Sequence, residues 1–255
     1  MLQSLSAALA EISLPQLALM AGMALIASII GGVAGYGTGA LMPLVLVPLI
    51  GAEPVVPIIA ISSIFTNTSR FAAYLRYADR RRAGIVIAAA ALTTALGAYG
   101  YTRLTNAGAA LVIGAMLVAS VPLRRLMRRR GLALSSRGLA VACFGWGPLA
   151  GGTVGAGIIL LSLLMAAGLE GAAVVATDAV ISIGIGLAKL ATFGLAGAVN
   201  AQVVAIALLI GAVAFPGAFL AKVLIGRLSV HVHAAILDAV VIGGGAAMIV
   251  NAFVR

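Results

Sequence analysis

Arg70 interrupts an apolar stretch three residues after Asn67 and seven after Ser63. On a helix these side chains share a face, and a guanidinium beside an amide and a hydroxyl is equipped to hold an anion. A cation near the centre of an apolar span costs about 2.5–3.5 kcal/mol on insertion scales, so it normally faces protein or water and serves function. The competing reading is that Arg70, close to a basic segment, snorkels to the membrane surface. Asp178, Ser182 and Lys189 form a second stripe at helical spacing. Asp178 and Lys189 lie about 16 Å apart along a straight helix, too far to pair directly. Asp178 is a candidate proton acceptor or a structural partner for Arg70 from the other half of the chain. Lys189 either supplies a second positive charge or snorkels.

Two glycine clusters add a second kind of anion chemistry. Residues 31–39 read GGVAGYGTG and residues 151–157 read GGTVGAG, each inside an apolar stretch. Glycine at this density breaks a helix and lets the backbone approach a ligand. The arm after each break, beginning near Gly39 and Gly157, exposes unpaired amides at the positive end of its helix dipole. One such dipole is worth about 0.3–2 kcal/mol, whereas micromolar binding needs about 8 kcal/mol, so a full charge and some apolar contact are also required. The candidate binding set is Gly35, Tyr36, Gly37, Thr38 and Gly39 at the first break, with Gly152, Thr153, Gly155 and Gly157 at the second. Asn67, Arg70 and Lys189 join it as polar and charged groups, and Trp146 and Tyr36 as aromatic walls for an organic ligand. The alternative is that the glycines only permit close helix packing.

These groups must be carried by membrane helices. The chain is 63% hydrophobic and 9% charged, with a mean hydropathy of +1.22. That composition leaves too little polar surface for a water-soluble globule. Stretches 54–69, 84–102, 107–123, 171–188, 201–221 and 234–254 are apolar over about the length of a hydrocarbon core. The one cysteine, Cys143, excludes an internal disulfide. His231 and His233 are spaced wrongly for a helical metal face, so neither a metal nor another cofactor is expected. The net charge of +10 would suit nucleic acid, but the cations fall in short blocks: Arg76, Arg80, Arg81 and Arg82, then Arg124, Arg125, Arg128, Arg129, Arg130 and Arg137. Such blocks set topology through the positive-inside rule, and no nucleic-acid partner is expected.

Placing loops 76–83 and 124–137 in the cytoplasm orients the rest of the chain. Segment 14–50 becomes a hairpin broken at the glycines, with arms of roughly 17 and 12 residues, the second too short to cross. Segment 138–168 repeats the plan, followed by spans 171–193, 201–225 and 233–254. Gly37-Thr38-Gly39 corresponds to Gly155-Ala156-Gly157, and Gly51-Ala52-Glu53 to Gly168-Leu169-Glu170. The expected fold is therefore an all-α polytopic membrane protein built from two repeats, residues 1–130 and 131–255. Each has a glycine-broken helical hairpin plus three long transmembrane helices. An odd number of crossings per half inverts one repeat relative to the other and places both termini on the periplasmic side. No Lys or Arg precedes Arg70, so the first apolar segment is expected to be retained rather than cleaved. Asp238, one turn beyond His233, is expected in a surface network near the cytoplasm.

Through GGVAGYGTGALMPLVL, its downstream Pro43 and Pro48, and the reprise GPLAGGTVGAGIILLS, the chain resembles the TauE/SafE family of sulfite exporters and related anion permeases. The resemblance implies a bacterial inner-membrane protein that moves sulfite, sulfonates, sulfoacetate or similar anions, in either direction. The family often carries a Gly-Gly-Gly run at each break. Here the runs are Gly37-Thr38-Gly39-Ala40 and Gly155-Ala156-Gly157-Ile158, so substrate identity is not carried across. The expectation is a transporter with a midplane anion site between the two breaks, its partners being the anion and the lipid bilayer. A membrane-embedded enzyme, an assembly subunit and an anion channel are the alternatives.

Overall fold

The computed structural model describes residues 12–34, 37–129, 133–224 and 230–254, all helix, turn or irregular chain with no strand among them. Eleven α-helices follow in order among these residues: α1 Leu14–Ala34, α2 Thr38–Ile50, α3 Val55–Tyr74, α4 Arg80–Tyr101, α5 Asn106–Arg129 and α6 Ser136–Gly152. Then come α7 Gly157–Ala166, α8 Ala172–Leu195, α9 Ala201–Ala214, α10 Gly217–Leu224 and α11 Val230–Val254. A 3-10 turn, Leu75–Tyr77, extends α3. Six segments are long and apolar enough to cross a membrane: Leu14–Gly32, Val55–Tyr77, Arg80–Tyr101, Asn106–Met127, Ala172–Leu195 and Ala201–Val223.

Local chemistry sets the boundaries. Asp79, Ser135 and Asn200 cap α4, α6 and α9 by accepting the backbone N–H of Arg82, Gly138 and Val203 at 2.9, 3.2 and 2.9 Å. Four boundaries differ from those expected. Helix α4 begins at Arg80, capped by Asp79, so Arg80, Arg81 and Arg82 stand in its first turn rather than in the loop 76–83. The first hairpin arm, α1, runs 21 residues, long enough to span, because the backbone stays helical through Gly31 and Gly32. Helix α5 continues to Arg129, so Arg124, Arg125 and Arg129 stand on the last turns of a helix rather than in a loop. The expected single span 201–225 breaks at Phe215–Pro216 into α9 and α10. Pro216 has no N–H to continue the ladder, and the serine hydroxyl of Ser28 donates to the Ala214 carbonyl at 2.5 Å, while that of Ser69 donates to Phe215. Hydroxyls on neighbouring helices thus satisfy carbonyls that lipid would leave bare.

Helix packing is reciprocal. α1 packs on α9 and α10, and α6 packs on α4; α3 packs on α8, and α5 on α11. The α4–α6 contact is backbone to backbone, since a methyl on Gly151 would collide with the Thr94 carbonyl oxygen and one on Gly147 with the Thr93 hydroxyl. Asp238 is buried rather than at the surface. Its two oxygens take Arg124 at 2.5 Å and Arg125 at 3.0 Å, while Gly114 and Gly245 meet further along the same pair. This register makes α5 and α11 antiparallel. One apolar core gathers α1, α2, α3, α5 and α9, and a second gathers α4, α6, α7 and α8.

Candidate functional site

The two described breaks, at Gly37 and at Thr153–Ala156, face each other where the cores meet. A methyl built on Gly39 would lie 3.6 Å from the Gly155 amide nitrogen. Gly155 has φ +82°, a left-handed conformation that side chains rarely adopt, and it turns the chain between α6 and α7. Hydrogen bonding resumes at Ala40 and Leu41, both on the Gly37 carbonyl (3.0 and 2.8 Å), and at Ile158 on that of Gly155 (3.2 Å). The amides of Thr38, Gly39, Ala156 and Gly157 have no acceptor among the described residues. They border one cavity of about 130 Å³.

Helices α3 and α8 close the cavity. They run antiparallel, Arg70 meeting Asp178 at one end and Gly186 lying against Ser63 and Ile64 at the other. The Arg70 Nη1 to Asp178 Oδ2 distance is 3.2 Å, and Arg70 also donates to Asn67. Arg70 is 9% exposed and Asp178 1%, so the pair is an interior one and the snorkelling reading of Arg70 fails. Asp178 Oδ1 is buried with no hydrogen-bond partner among the described residues. Lys189 is also buried; its ammonium donates to the Ala150 carbonyl at 2.9 Å and the Thr153 carbonyl at 3.5 Å, so it too does not snorkel. Among the described residues no carboxylate lies within ion-pair distance of it.

Of the residues singled out in the sequence, Gly37, Thr38, Gly39, Asn67, Arg70, Trp146, Thr153, Gly155, Gly157, Asp178 and Lys189 line this cavity. Trp146 is held by its indole N–H on the Ala156 carbonyl at 2.9 Å. The Thr153 hydroxyl is engaged by main-chain oxygens of Val112 and Val154. Gly152 is not a lining residue and sits against the Gly97 carbonyl of α4. Gly35 and Tyr36 lie outside the described residues, as do the side chains of His231 and His233. Ser63 and Ser182, placed by the sequence on the stripes of Arg70 and Asp178, also line the cavity, as do Ile59, Ile158 and Ile185, which the sequence reading did not single out. Helical spacing was the signal for several of them: Ser63 precedes Asn67 by four, and Ser182 and Ile185 follow Asp178 by four and seven.

The lining thus combines two cations, one carboxylate, four amides without acceptors among the described residues, and an isoleucine wall. The family model described as sulfite exporter TauE/SafE matches residues 20–248. The chain belongs to this family. The matched region holds both glycine breaks and every charged group of the cavity, so the TauE/SafE likeness covers the site as well as the scaffold. A TauE/SafE protein is a membrane transporter of sulfite or related sulfur anions and not an enzyme. With six segments among the described residues long and apolar enough to cross a membrane, this one is a multi-pass membrane protein. Comparison with curated proteins and with solved structures returns no match.

Proposed function

We propose that the protein is a secondary transporter that carries a small sulfur-containing anion, sulfite or a short sulfonate such as sulfoacetate, across the bacterial inner membrane by alternating access. The observation that carries this reading is the convergence of both glycine breaks, Arg70 and Lys189 on one cavity. Amides from Thr38, Gly39, Ala156 and Gly157 are donors for the oxyanion head, and Arg70 or Lys189 supplies the full charge. Trp146 and Ile185 meet the apolar remainder. Asp178 is the candidate proton-coupling group.

The two halves, residues 1–130 and 131–255, act as inverted repeats in this reading. The antiparallel course of α3 against α8 and of α5 against α11 supports that relation, because these pairs hold the same place in each half. Both termini are then periplasmic, and rocking of one repeat against the other alternates access to the cavity. The cavity volume, about 130 Å³, limits the cargo. A dry cavity of about 150 Å³ accepts a benzene-sized ligand, and this one is partly open, so the anion is small, with roughly four to eight non-hydrogen atoms.

The test is thermal unfolding of the detergent-purified protein with sulfite, sulfate, methanesulfonate, sulfoacetate, benzenesulfonate and acetate. A ligand at 100 times its Kd stabilises by about 2.7 kcal/mol. Sulfite or the small sulfonates should raise the transition, benzenesulfonate should not, and Arg70→Ala should abolish the shift while remaining folded. No shift by any anion at millimolar concentration would refute the site.

A further inference from the structure

We infer that Asp178 and the transported anion compete for Arg70, so that each anion bound leaves one proton on Asp178. The inference rests on the anion-site reading above and adds the coupling rule for that site.

Geometry carries it. Asp178 Oδ2 lies 3.2 Å from Arg70 Nη1 on the cavity wall, in the position a bound oxyanion needs to reach the guanidinium from inside. The carboxylate is the anion that Arg70 holds at this contact. Its other oxygen, Oδ1, is buried and has no donor among the described residues, so Asp178 is incompletely satisfied as an anion. An entering sulfonate that takes up the Arg70 contact displaces Oδ2 and strands a buried carboxylate beside a second negative charge. Two anions in one low-dielectric cavity cannot both stay ionised. A proton from the water that admits the anion moves onto Oδ1, Asp178 becomes a neutral acid, and no covalent bond forms with the cargo. When the anion leaves, the proton leaves and Asp178 pairs with Arg70 again.

The packed elements place few other titratable groups near that contact. Helix α3 presents Arg70 and, one turn on, the buried Tyr74, whose hydroxyl donates to the Gly32 carbonyl at 3.3 Å. Asp79 and Arg82, at the start of α4, pair with each other at 2.8 Å, and the Asp79 N–H reaches Thr177 next to Asp178. The 3-10 turn contributes the exposed Arg76 and Tyr77, α6 carries Arg137 and the buried Cys143, and α7 carries no titratable residue. Lys189, eleven residues along α8, is bound to main-chain carbonyls.

Calorimetric titration of the full-length detergent-solubilised protein with methanesulfonate tests this, because that anion keeps one charge from pH 5 to 9. Repeating the titration in buffers of different ionisation heat counts the protons taken up. The expected result is about one proton per anion, with affinity falling about tenfold per pH unit once Asp178 is ionised. Asp178→Asn should take up none, should bind at least tenfold more tightly than wild type at pH 8, and should lose the pH dependence. Arg70-dependent binding by wild type without proton uptake would overturn the competition and leave the anion site standing. No binding by wild type at any pH would overturn both. Lys189→Arg, which stays charged from pH 5 to 9, should keep the proton count, and this assigns the proton to Asp178 even where Asp178→Asn fails to fold; loss of the count in Lys189→Arg would overturn the assignment.

Discussion

Lys189 caps α6, its buried ammonium lying 2.9 Å from the Ala150 carbonyl oxygen in the last turn of that helix. A cation there answers both the unpaired carbonyls and the negative end of the helix dipole. The same ammonium lines the cavity, so it links the hairpin's shape to the charge an anion meets. Lys189→Met should therefore cost about 1–3 kcal/mol of stability, the price of a buried unsatisfied acceptor. It should also weaken stabilisation by methanesulfonate. Thermal unfolding with and without the anion reads both effects, and an unchanged melt in either condition contradicts the double role.

Asp238 holds α5 to α11 through Arg124 and Arg125, whose side chains are 14% and 61% exposed. Removing the carboxylate takes the Asp238 contact away from a mostly buried guanidinium, whereas removing Arg125 takes away a largely solvated partner. Asp238→Asn should lower stability by about 3 kcal/mol and Arg125→Gln by less than about 1 kcal/mol. Equal losses in unfolding experiments would refute this division.

Glycine positions separate into tight and open. Gly151→Ala places a methyl against the Thr94 carbonyl and the Ala98 amide, both backbone, so α4 and α6 must part. A loss of about 2 kcal/mol or more is expected from such overpacking. Gly100→Ala meets nothing within 4 Å on the exposed side of α4. It should be neutral or stabilising by up to about 1 kcal/mol through helix propensity. Melting temperatures of the two variants in one detergent make the comparison.

Asp79 starts α4, and its carboxyl is held below the ordinary value of 3.8, first by the Arg82 backbone N–H and also by the Arg82 guanidinium. A lowered folded-state pKa stabilises above the ordinary value and loses that contribution as pH falls through the lowered one. Asp79→Ala should cost about 1 kcal/mol at pH 7. The gap between variant and wild type should narrow below the ordinary value and close as pH falls through the lowered one. A gap that persists there would mean the side chain acts by packing.

Much of the molecule follows from local rules that act within one stretch of chain. Apolar length placed most of the spans, the glycine clusters located both breaks, and a capping Asp79 or Ser135 set where a helix begins, because helix geometry and bilayer thickness are satisfied residue by residue. Helical spacing likewise put Asn67 with Arg70 and Asp178 with Lys189 before any fold was known. Spacing within a helix is silent about the neighbour, so it left open whether Arg70 snorkels or pairs, and whether Asp178 answers it. The antiparallel packing of α3 on α8 decided that, at 3.2 Å. Packing also decided the break at Phe215–Pro216, which needed Ser28 and Ser69 from other helices to satisfy its carbonyls, and the burial of Asp238. Desolvation and pairing of a charge depend on partners far away in sequence, and only the assembled bundle brings them within reach.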